Sequence, residues 1–341
     1  MLLSAEVQWS RGTVRIMDCA TPVISEDVLS LSSDPSGAES CWPLVTIVTP
    51  TLNMGEFLDE TIQSVLSQDY PHIEYIVIDG GSTDHTLDVV KKYQDRLQFY
   101  SAPDGGTADA INKGFRRARG SIWTYLNADD TYLPGAVSTA VRCLLQKPDV
   151  VGIYGDAYWV NEESKILGIY PTQEFQSSLL QRECFICQPA AFVRREAIES
   201  VAFLDPRLRY TYDYDLWIRL GKNYSLHKVN AFLATSRMHP GNKTLAARRS
   251  AFREAMRLLS AHFGYVPFTW IYSYCCHCVD RRDQFFQPLH PSISKYCLTL
   301  FLGTCRNWRS PLRFWTEWAS VMSFGGLKRR WRDRWSTAGG S

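Results

Sequence analysis

The chain has almost no surplus charge, with a formal net of +2 over 341 residues. Proteins that neutralise a nucleic-acid backbone carry a strong basic excess, so no nucleic-acid partner is expected. Long hydrophobic runs are also missing. The longest apolar stretches, such as Tyr296 to Gly303, fall far short of the ~20 residues that a spanning helix needs. No basic region followed by an apolar core and a cleavage site opens the chain, so no signal peptide is expected. The ten cysteines form no framework. Cys143 reads as a core position of a helix. Cys184 and Cys187 make a CxxC, and Cys275-Cys276-His277-Cys278 is dense, but neither cluster has a second pair at zinc spacing. Unpaired thiols fit a reducing cytoplasm. There is no GxGxxG, so a dinucleotide site is poorly supported. A nucleotidyltransferase would want a glycine-rich, Lys- or Arg-bearing loop after the first strand, and "TPTLNMGE" lacks one.

What is present is a globular composition, 45% hydrophobic and 13% aromatic, enough for one large domain with an extension. Residues 1–43 include a segment rich in Ser, Asp, Glu and Gly with little periodicity, which predicts a loose arm. Residues 44–262 alternate strands with helices. "LVTIVT" (44–49), "IEYIVID" (73–79), "LQFYSA" (97–102) and "SIWTYLN" (121–127) read as strands. Between them, Leu58, Ile62, Val65 and Leu66 share one helical face, Leu87, Val90 and Tyr93 a second, and Ala108, Ile111, Phe115 and Ala118 a third that Gly120 stops. This alternation predicts an α/β fold, a mostly parallel sheet with helices on both faces. Ligands of such sheets collect at the carboxyl ends of the strands. The polar clusters "PTLN" (50–53), "DGGSTD" (79–84), "PDGGTADA" (103–110) and "NADD" (127–130) all fall there.

Asp129 and Asp130 follow a buried strand, and adjacent carboxylates repel. A divalent cation, Mg²⁺ or Mn²⁺, would relieve that repulsion while keeping water and substrate phosphates in its shell. The competing reading has Asp130 capping the helix that begins near Pro134. Asp79 ends the second strand, and the glycines after it, Gly80 and Gly81, let a ligand approach the backbone. An acceptor at Asp79 suits a nucleobase N–H or a ribose hydroxyl. Asp84 reads as a cap of the next helix.

Two longer segments carry a resemblance. "VTIVTPTLNMGEFLDETIQSVLSQDYPHIEYIVIDGGSTDHT" resembles the opening of family-2 nucleotide-sugar glycosyltransferases of the GT-A fold, and "DGGTADAINKGFRRARGSIWTYLNADDTYLP" resembles their second block, which ends in a DxD-type metal motif. The match runs over about residues 44–245. It implies a GT-A domain over 44–262, with a nucleotide-sugar half (44–133) and an acceptor half (134–262). Thr49, Pro50, Thr51 and Asn53 would line the nucleotide pocket with Gly81, and Asp79 would contact the base, most often uracil. Asp109 and Lys113 would lie near the sugar or the diphosphate, and Asp129 and Asp130 would bind the sugar and the metal-diphosphate. Asn127 stands where many relatives carry Asp, so it should face sugar or structure rather than ligate. "CFICQPAAFVRREAI" (184–198) resembles the stretch before the acceptor site, with Gln188 a polar contact. "YTYDYDLWIRL" (210–220) resembles the catalytic segment: Tyr212 stands where Glu is common, Asp213 matches the catalytic base, and Asp215 points elsewhere. The other reading of Asp213 is an N-cap of that helix. "SRMHPGNKT" (236–244) resembles the closing loop, where His239 could complete the metal shell and Lys243 touch the diphosphate.

These roles imply an inverting transfer from a nucleoside-diphosphate sugar, with UDP expected, to a saccharide or lipid-linked acceptor. The metal holds the leaving diphosphate, and one carboxylate base deprotonates the acceptor hydroxyl. A non-catalytic nucleotide-sugar-binding protein of the same fold is the alternative; the survival of Asp129, Asp130 and Asp213 argues against it. Residues 263–341 differ in kind. Eight Lys or Arg fall between Arg306 and Arg334 against Glu317 and Asp333, interleaved with Trp308, Trp315, Trp318, Trp331 and Trp335. Two readings stand: a basic interfacial helix over 292–335 at the inner face of an anionic membrane, or a helical extension whose tryptophans pack on the main domain.

Overall fold

The structure, a computed structural model, describes residues 42–280 and 292–322. The arm expected over 1–43 lies outside them apart from Trp42 and Pro43, as does the basic tail beyond Met322. The described strands form one nine-stranded sheet. Its first half contains β1 (Val45–Thr51), β2 (Ile73–Asp79), β3 (Gln98–Ser101) and β4 (Ile122–Tyr125) in the order β3-β2-β1-β4, and every pairing is parallel. All seven residues of β1 are buried, as a strand covered on both faces requires. Val45 and Ile47 face a cluster with Leu58, Ile62 and Val65 of α1 (Gly55–Leu66). Val48 faces the opposite cluster, with Ile111 and Phe115 of α3 (Thr107–Phe115). α3 packs directly on β1, because a Cβ on Gly114 would meet Val48 at 2.4 Å. α2 (Thr86–Lys91) is shorter than its apolar spacing predicts, and Tyr93 falls in the turn after it.

The second half is mixed and was not expected in detail. β6 (Gly152–Val160) runs antiparallel to β8 (Ala191–Arg194) and to β7 (Ile166–Ile169), and parallel to β9 (Leu226–Arg237). β4 joins the halves through an antiparallel pairing with β8. β5 (Thr131–Tyr132), directly after "NADD", pairs Thr131 with Thr235 of β9. That short ladder sets the DxD-type turn beside the "SRMH" segment, a hundred residues later in the chain. Helices α4 (Ala136–Gln146), α5 (Arg195–Ser200), α6 (Tyr212–Asn223), α7 (Lys243–Ala246) and α8 (Arg248–Phe263) complete this half.

Beyond Gly264, α9 (Phe268–Asp280), α10 (Ile293–Arg306) and α11 (Pro311–Met322) build a third core of Phe268, Ile271, Tyr272, Tyr296 and Phe314, joined to α8 through Met256. Trp318 belongs to this packing, donating its indole N–H to the Tyr296 carbonyl at 3.0 Å. No helix among the described residues is long and apolar enough to cross a membrane.

Candidate active site

The turns after β1 and β2 are tied together. Asn53 sits at φ 52°, in the left-handed region that Asn tolerates better than most residues. Its amide donates to Ser82 Oγ at 2.7 Å, and its Oδ1 accepts from the Thr83 amide at 2.8 Å. Gly81, at φ 94°, makes the turn exposed and close-approachable. Asp84 links two helix starts: Oδ1 accepts from Thr86 N and Oδ2 from Gly55 N, both at 3.0 Å. Those bonds satisfy first-turn amides, as expected of a cap, though the extra reach to α1 was not.

Asp79 differs from its expected role. It is fully buried. Its carboxylate accepts from Gly81 N at 3.1 Å, from Ser82 N at 3.1 and 3.2 Å, from Ser82 Oγ at 2.5 Å and from Ser101 Oγ at 2.6 Å. That uses the lone pairs a base contact would need. Asp79 therefore holds the turn, and the base contact expected of it is corrected to the surface it shapes. Thr49 is likewise inward, with its hydroxyl 3.1 Å from the Tyr75 hydroxyl. Pro50 is buried; Thr51 is too, and its hydroxyl has no partner among the described residues. The exposed lining of this edge is Leu52, Asn53, Gly81 and Thr83.

Asp109 and Lys113, one turn apart on α3, pair at 3.0 Å, and Asp109 also accepts from Gly105 N at 3.0 Å. The Gly105 amide is the main influence lowering the Asp109 carboxyl. Lys113 further donates to the Pro103 carbonyl at 3.2 Å. Both brace the loop before α3.

The two carboxylates of "NADD" diverge. Asp129 Oδ2 lies 3.1 Å from His239 Nε2, and both residues are buried. Asp130 points into the fold, where Oδ1 accepts from Arg237 N at 2.9 Å and Oδ2 from Asn127 Nδ2 at 3.2 Å. Burial pushes the Asp130 carboxyl well up, with the Asp129 charge adding to the push. In this arrangement Asp130 braces the loop between Arg237 and Asn127. It does not cap a helix, since Gly135 precedes α4. Asn127 and Gln188 extend the brace. Gln188 donates to the Tyr125 carbonyl at 2.5 Å and accepts from Asn127 at 3.5 Å, so its amide is spent inside the protein and not on an acceptor.

Arg237, which sequence reasoning missed, organises this loop. Its side chain is 1% exposed. It donates to the Asp129, Asn161 and Glu162 carbonyls at 2.9, 3.1 and 2.8 Å and pairs with Glu60 at 2.5 Å. The guanidinium lies 5.1 Å from the Phe57 ring centroid, and His239 packs on the same ring at 4.8 Å. A planar five-donor group is suited to several carbonyls at once. Lys243 reaches the other side of the site, donating to the Thr107 hydroxyl at the start of α3, within the field of Asp104 and Asp129.

Asp213 lies in the first turn of α6, whose N-cap is Thr211, so it is not itself the cap. Oδ1 accepts from the Tyr214 amide at 2.7 Å. Burial raises its carboxyl to about 6 against that bond. Glu254 of α8, also missed, fixes the approach to α6. It accepts from the amides of Tyr210 and Thr211 at 2.7 and 2.8 Å and from the Thr211 hydroxyl at 2.9 Å. Asp215 points away, paired with Arg219 and His262 at 2.7 Å each. Tyr212 stands between the two acidic centres: the charges of Asp213, Asp129 and Asp130 all act on its phenol. One site thus holds Asp213 on one side and Asp129 with His239 on the other. Among the described residues no group of three or more His, Cys, Asp or Glu could cage an ion unaided, and the CxxC joins none.

The profile of glycosyl transferase family 2 matches residues 46–202. An uncharacterised glycosyltransferase of Rickettsia typhi is 28% identical over 213 residues, covering 60% of this chain and 67% of the relative. A Rickettsia felis relative is 29% identical over 213 residues, but only 34% of its length is spanned by 58% of this chain. A putative teichuronic acid biosynthesis glycosyltransferase of Bacillus subtilis is 26% identical over 70% of this chain and 98% of its own. Among solved structures, S. aureus TarS 1-349 with UDP-GlcNAc superposes with a TM-score of 0.55 at 15% identity, over 76% of this chain and 79% of that one. The mannosyltransferase PcManGT of Pyrobaculum calidifontis, with GDP-Man and Mn²⁺, gives 0.50 at 16% identity, over 91% and 84%. Residues 46–202 thus resemble glycosyl transferase family 2, and the fold is that of the solved GT-A glycosyltransferase structures.

Proposed function

We propose that the protein transfers a sugar from a nucleoside diphosphate, UDP first among the candidates, to a hydroxyl of a cell-surface saccharide or lipid-linked acceptor, with inversion at the anomeric carbon. One observation carries this reading: a carboxyl raised to about 6, Asp213, shares a site with the Asp129–His239 pair. The names of relatives supply the substrate class. TarS was solved with UDP-GlcNAc, and the B. subtilis relative is named for teichuronic acid biosynthesis.

Asp129 and His239 fit a divalent ion, Mn²⁺ or Mg²⁺, that takes the rest of its shell from water and phosphate oxygens. Such an ion supplies Lewis-acid stabilisation of the departing diphosphate. Lys243, beside the N-terminus of α3, adds positive charge where phosphates would lie. The lining formed by Asn53, Gly81 and Thr83 receives the nucleoside, with Asp79 keeping that turn in shape. Asp213 accepts the acceptor hydroxyl's proton as the oxygen attacks. A carboxyl near 6 is mostly ionised at neutral pH yet more basic than an exposed one, which suits a general base. With one base and a leaving group that departs from the opposite side, attack comes from behind and inverts the centre.

The test is a thermal-shift panel of nucleoside-diphosphate sugars with and without Mn²⁺, followed by turnover on the best donor. A ligand at about 100 times its Kd stabilises the native state by about 2.7 kcal/mol. If no nucleotide sugar raises Tm with metal present, the donor assignment fails. Proton NMR of the product at the new anomeric centre decides inversion against retention.

A further inference from the structure

We propose that α10 and α11 form a docking platform for an anionic phospholipid bilayer, a surface independent of the transferase site. The exposed side of α10 carries Ile293, Cys297, Phe301 and Cys305, each four residues from the last, which lie along one stripe of a helix. Ile293 is 79% exposed and Phe301 65%. The stripe continues through the turn with Trp308 at 69% and onto α11 with Leu312 at 70% and Trp315 at 45%. The opposite side of α10 buries Tyr296, Thr299 and Gly303, and Phe314 of α11 lies fully buried beside them. The apolar row is therefore held on a packed platform. Trp315 is fixed there as well, its indole N–H donating to Thr304 Oγ1 at 2.8 Å, one turn from Phe301 and Trp308.

Charge selects the occupant. Exposed Arg306, Arg309 and Arg313 border the apolar row, and the Arg309 guanidinium sits 5.0 Å from the Trp308 ring centroid. The acid within this stretch, Glu317, is engaged by the Tyr265 hydroxyl at 2.5 Å. The sequence after Met322 adds Lys328, Arg329, Arg330, Arg332 and Arg334 against Asp333 alone, with Trp331 and Trp335 among them. Large apolar and indole side chains bordered by arginines match the boundary between acyl chains and anionic headgroups. A second copy of the chain would set like charges against each other. A 14-residue helix is about 21 Å long, too short to span and long enough to lie in the interface. Trp318 packs inward on Tyr296, while Trp308 and Trp315 face out.

The experiment is sedimentation of the full chain with vesicles of phosphatidylcholine alone or of phosphatidylcholine with phosphatidylglycerol, at low and high salt. The expected result is binding to the anionic vesicles, weakened by salt, with a blue shift of tryptophan emission. The double variant Phe301→Ser/Trp308→Ser should bind at least tenfold more weakly. Arg306→Gln/Arg309→Gln should lose on the order of fivefold per charge on anionic vesicles. Both variants should keep the parent's Tm and its Tm rise with nucleotide sugar. No vesicle binding, equal binding to neutral and anionic vesicles, or unchanged binding by the Phe301/Trp308 variant would overturn the proposal. A dimer in the ultracentrifuge that Phe301→Ser/Trp308→Ser dissociates would overturn it too, by assigning the surface to a second copy.

Discussion

Asp79, fully buried, and Asp213, partly buried, are two carboxylates with different surroundings. Asp79, at the end of a parallel strand, is surrounded by donors from Gly81, Ser82 and Ser101. Asp213, in the first turn of α6, accepts from the amide of Tyr214 and is raised to about 6 by burial. A carboxylate rich in donors fixes the backbone that supplies them. One buried with few donors is held basic, and proton transfer rewards that condition. Asp79 is thus saturated with donors, while Asp213 is left with fewer.

The contrast is sharpest in paired substitutions. Asp213→Asn should lower kcat by ~10²–10⁴-fold while leaving the nucleotide-sugar thermal shift intact. At about pH 7.5 its Tm should rise, because an amide avoids the charge that burial disfavours. Near-normal turnover would remove Asp213 from the base role, and a fall in Tm would mean its carboxylate is structural like that of Asp79. Arg237→Ala comes next. It strands the buried carbonyl of Asp129, and an unsatisfied buried group costs ~1–3 kcal/mol, so a loss of about that size is expected in urea unfolding. Unchanged stability would show that water replaces the guanidinium.

The pH dependence separates stability from activity. The Asp213 carboxyl titrates at about 6 folded and near its ordinary 3.8 unfolded. The native state therefore binds the extra proton between those values. This contribution to stability is fully present below about 3.8 and is lost as pH rises through about 6. It amounts to at most roughly 3 kcal/mol at 1.36 kcal/mol per pH unit. Activity runs the other way, because the base works ionised, so kcat/KM should climb through about 6. The variant Asp213→Asn should flatten this part of the stability profile, and an unchanged slope would assign it to another group.

Asp79→Asn should do the reverse of Asp213→Asn. An amide cannot accept at both ends, so one or more of the Gly81, Ser82 and Ser101 donors loses its partner, and stability falls by ~1–3 kcal/mol. Donor affinity should weaken through the distorted turn while kcat at saturating donor changes little. A kcat loss as large as that of Asp213→Asn would erase the distinction between the two carboxylates.

What the sequence made legible follows the two halves of the sheet. β1, β2 and β4 were readable because doubly covered parallel strands are continuous apolar runs, and α3 because Ala108, Ile111 and Phe115 keep helical spacing. β6 and β9 were not, because polar residues interrupt them, and β7 and β8 were not, because each is only four residues long; partners also lie far along the chain, as Val193 and Leu226 do for Gly152. Motif resemblance singled out Asp129, Asp213 and His239. It did not reveal what holds Asp79 and Asp130, since the groups bonded to them, Ser101 on another strand and the amide of Arg237, are long-range partners. Arg237 gave no signal beyond being an arginine near a histidine. Its five donors gain meaning only once the β5–β9 ladder brings Asp129 to it.

The smallest effect tests a single buried hydroxyl. Tyr125 ends β4, is 3% exposed, and its phenol oxygen has no hydrogen-bond partner among the described residues. Its ring centroid lies 6.3 Å from that of Tyr212, and the charge of Asp213 acts on its phenol. An orphaned buried hydroxyl is a standing cost of ~1–3 kcal/mol. Tyr125→Phe removes the oxygen and keeps the ring against Phe115, so the fold should gain up to about 1 kcal/mol, read as a modest rise in Tm. If the hydroxyl meets substrate in the closed complex, the same variant should raise the acceptor KM or lower kcat several-fold while leaving donor affinity alone. A gain in Tm with unaltered kinetics would make the orphan a packing defect and leave Asp213 as the under-satisfied group that bears on turnover.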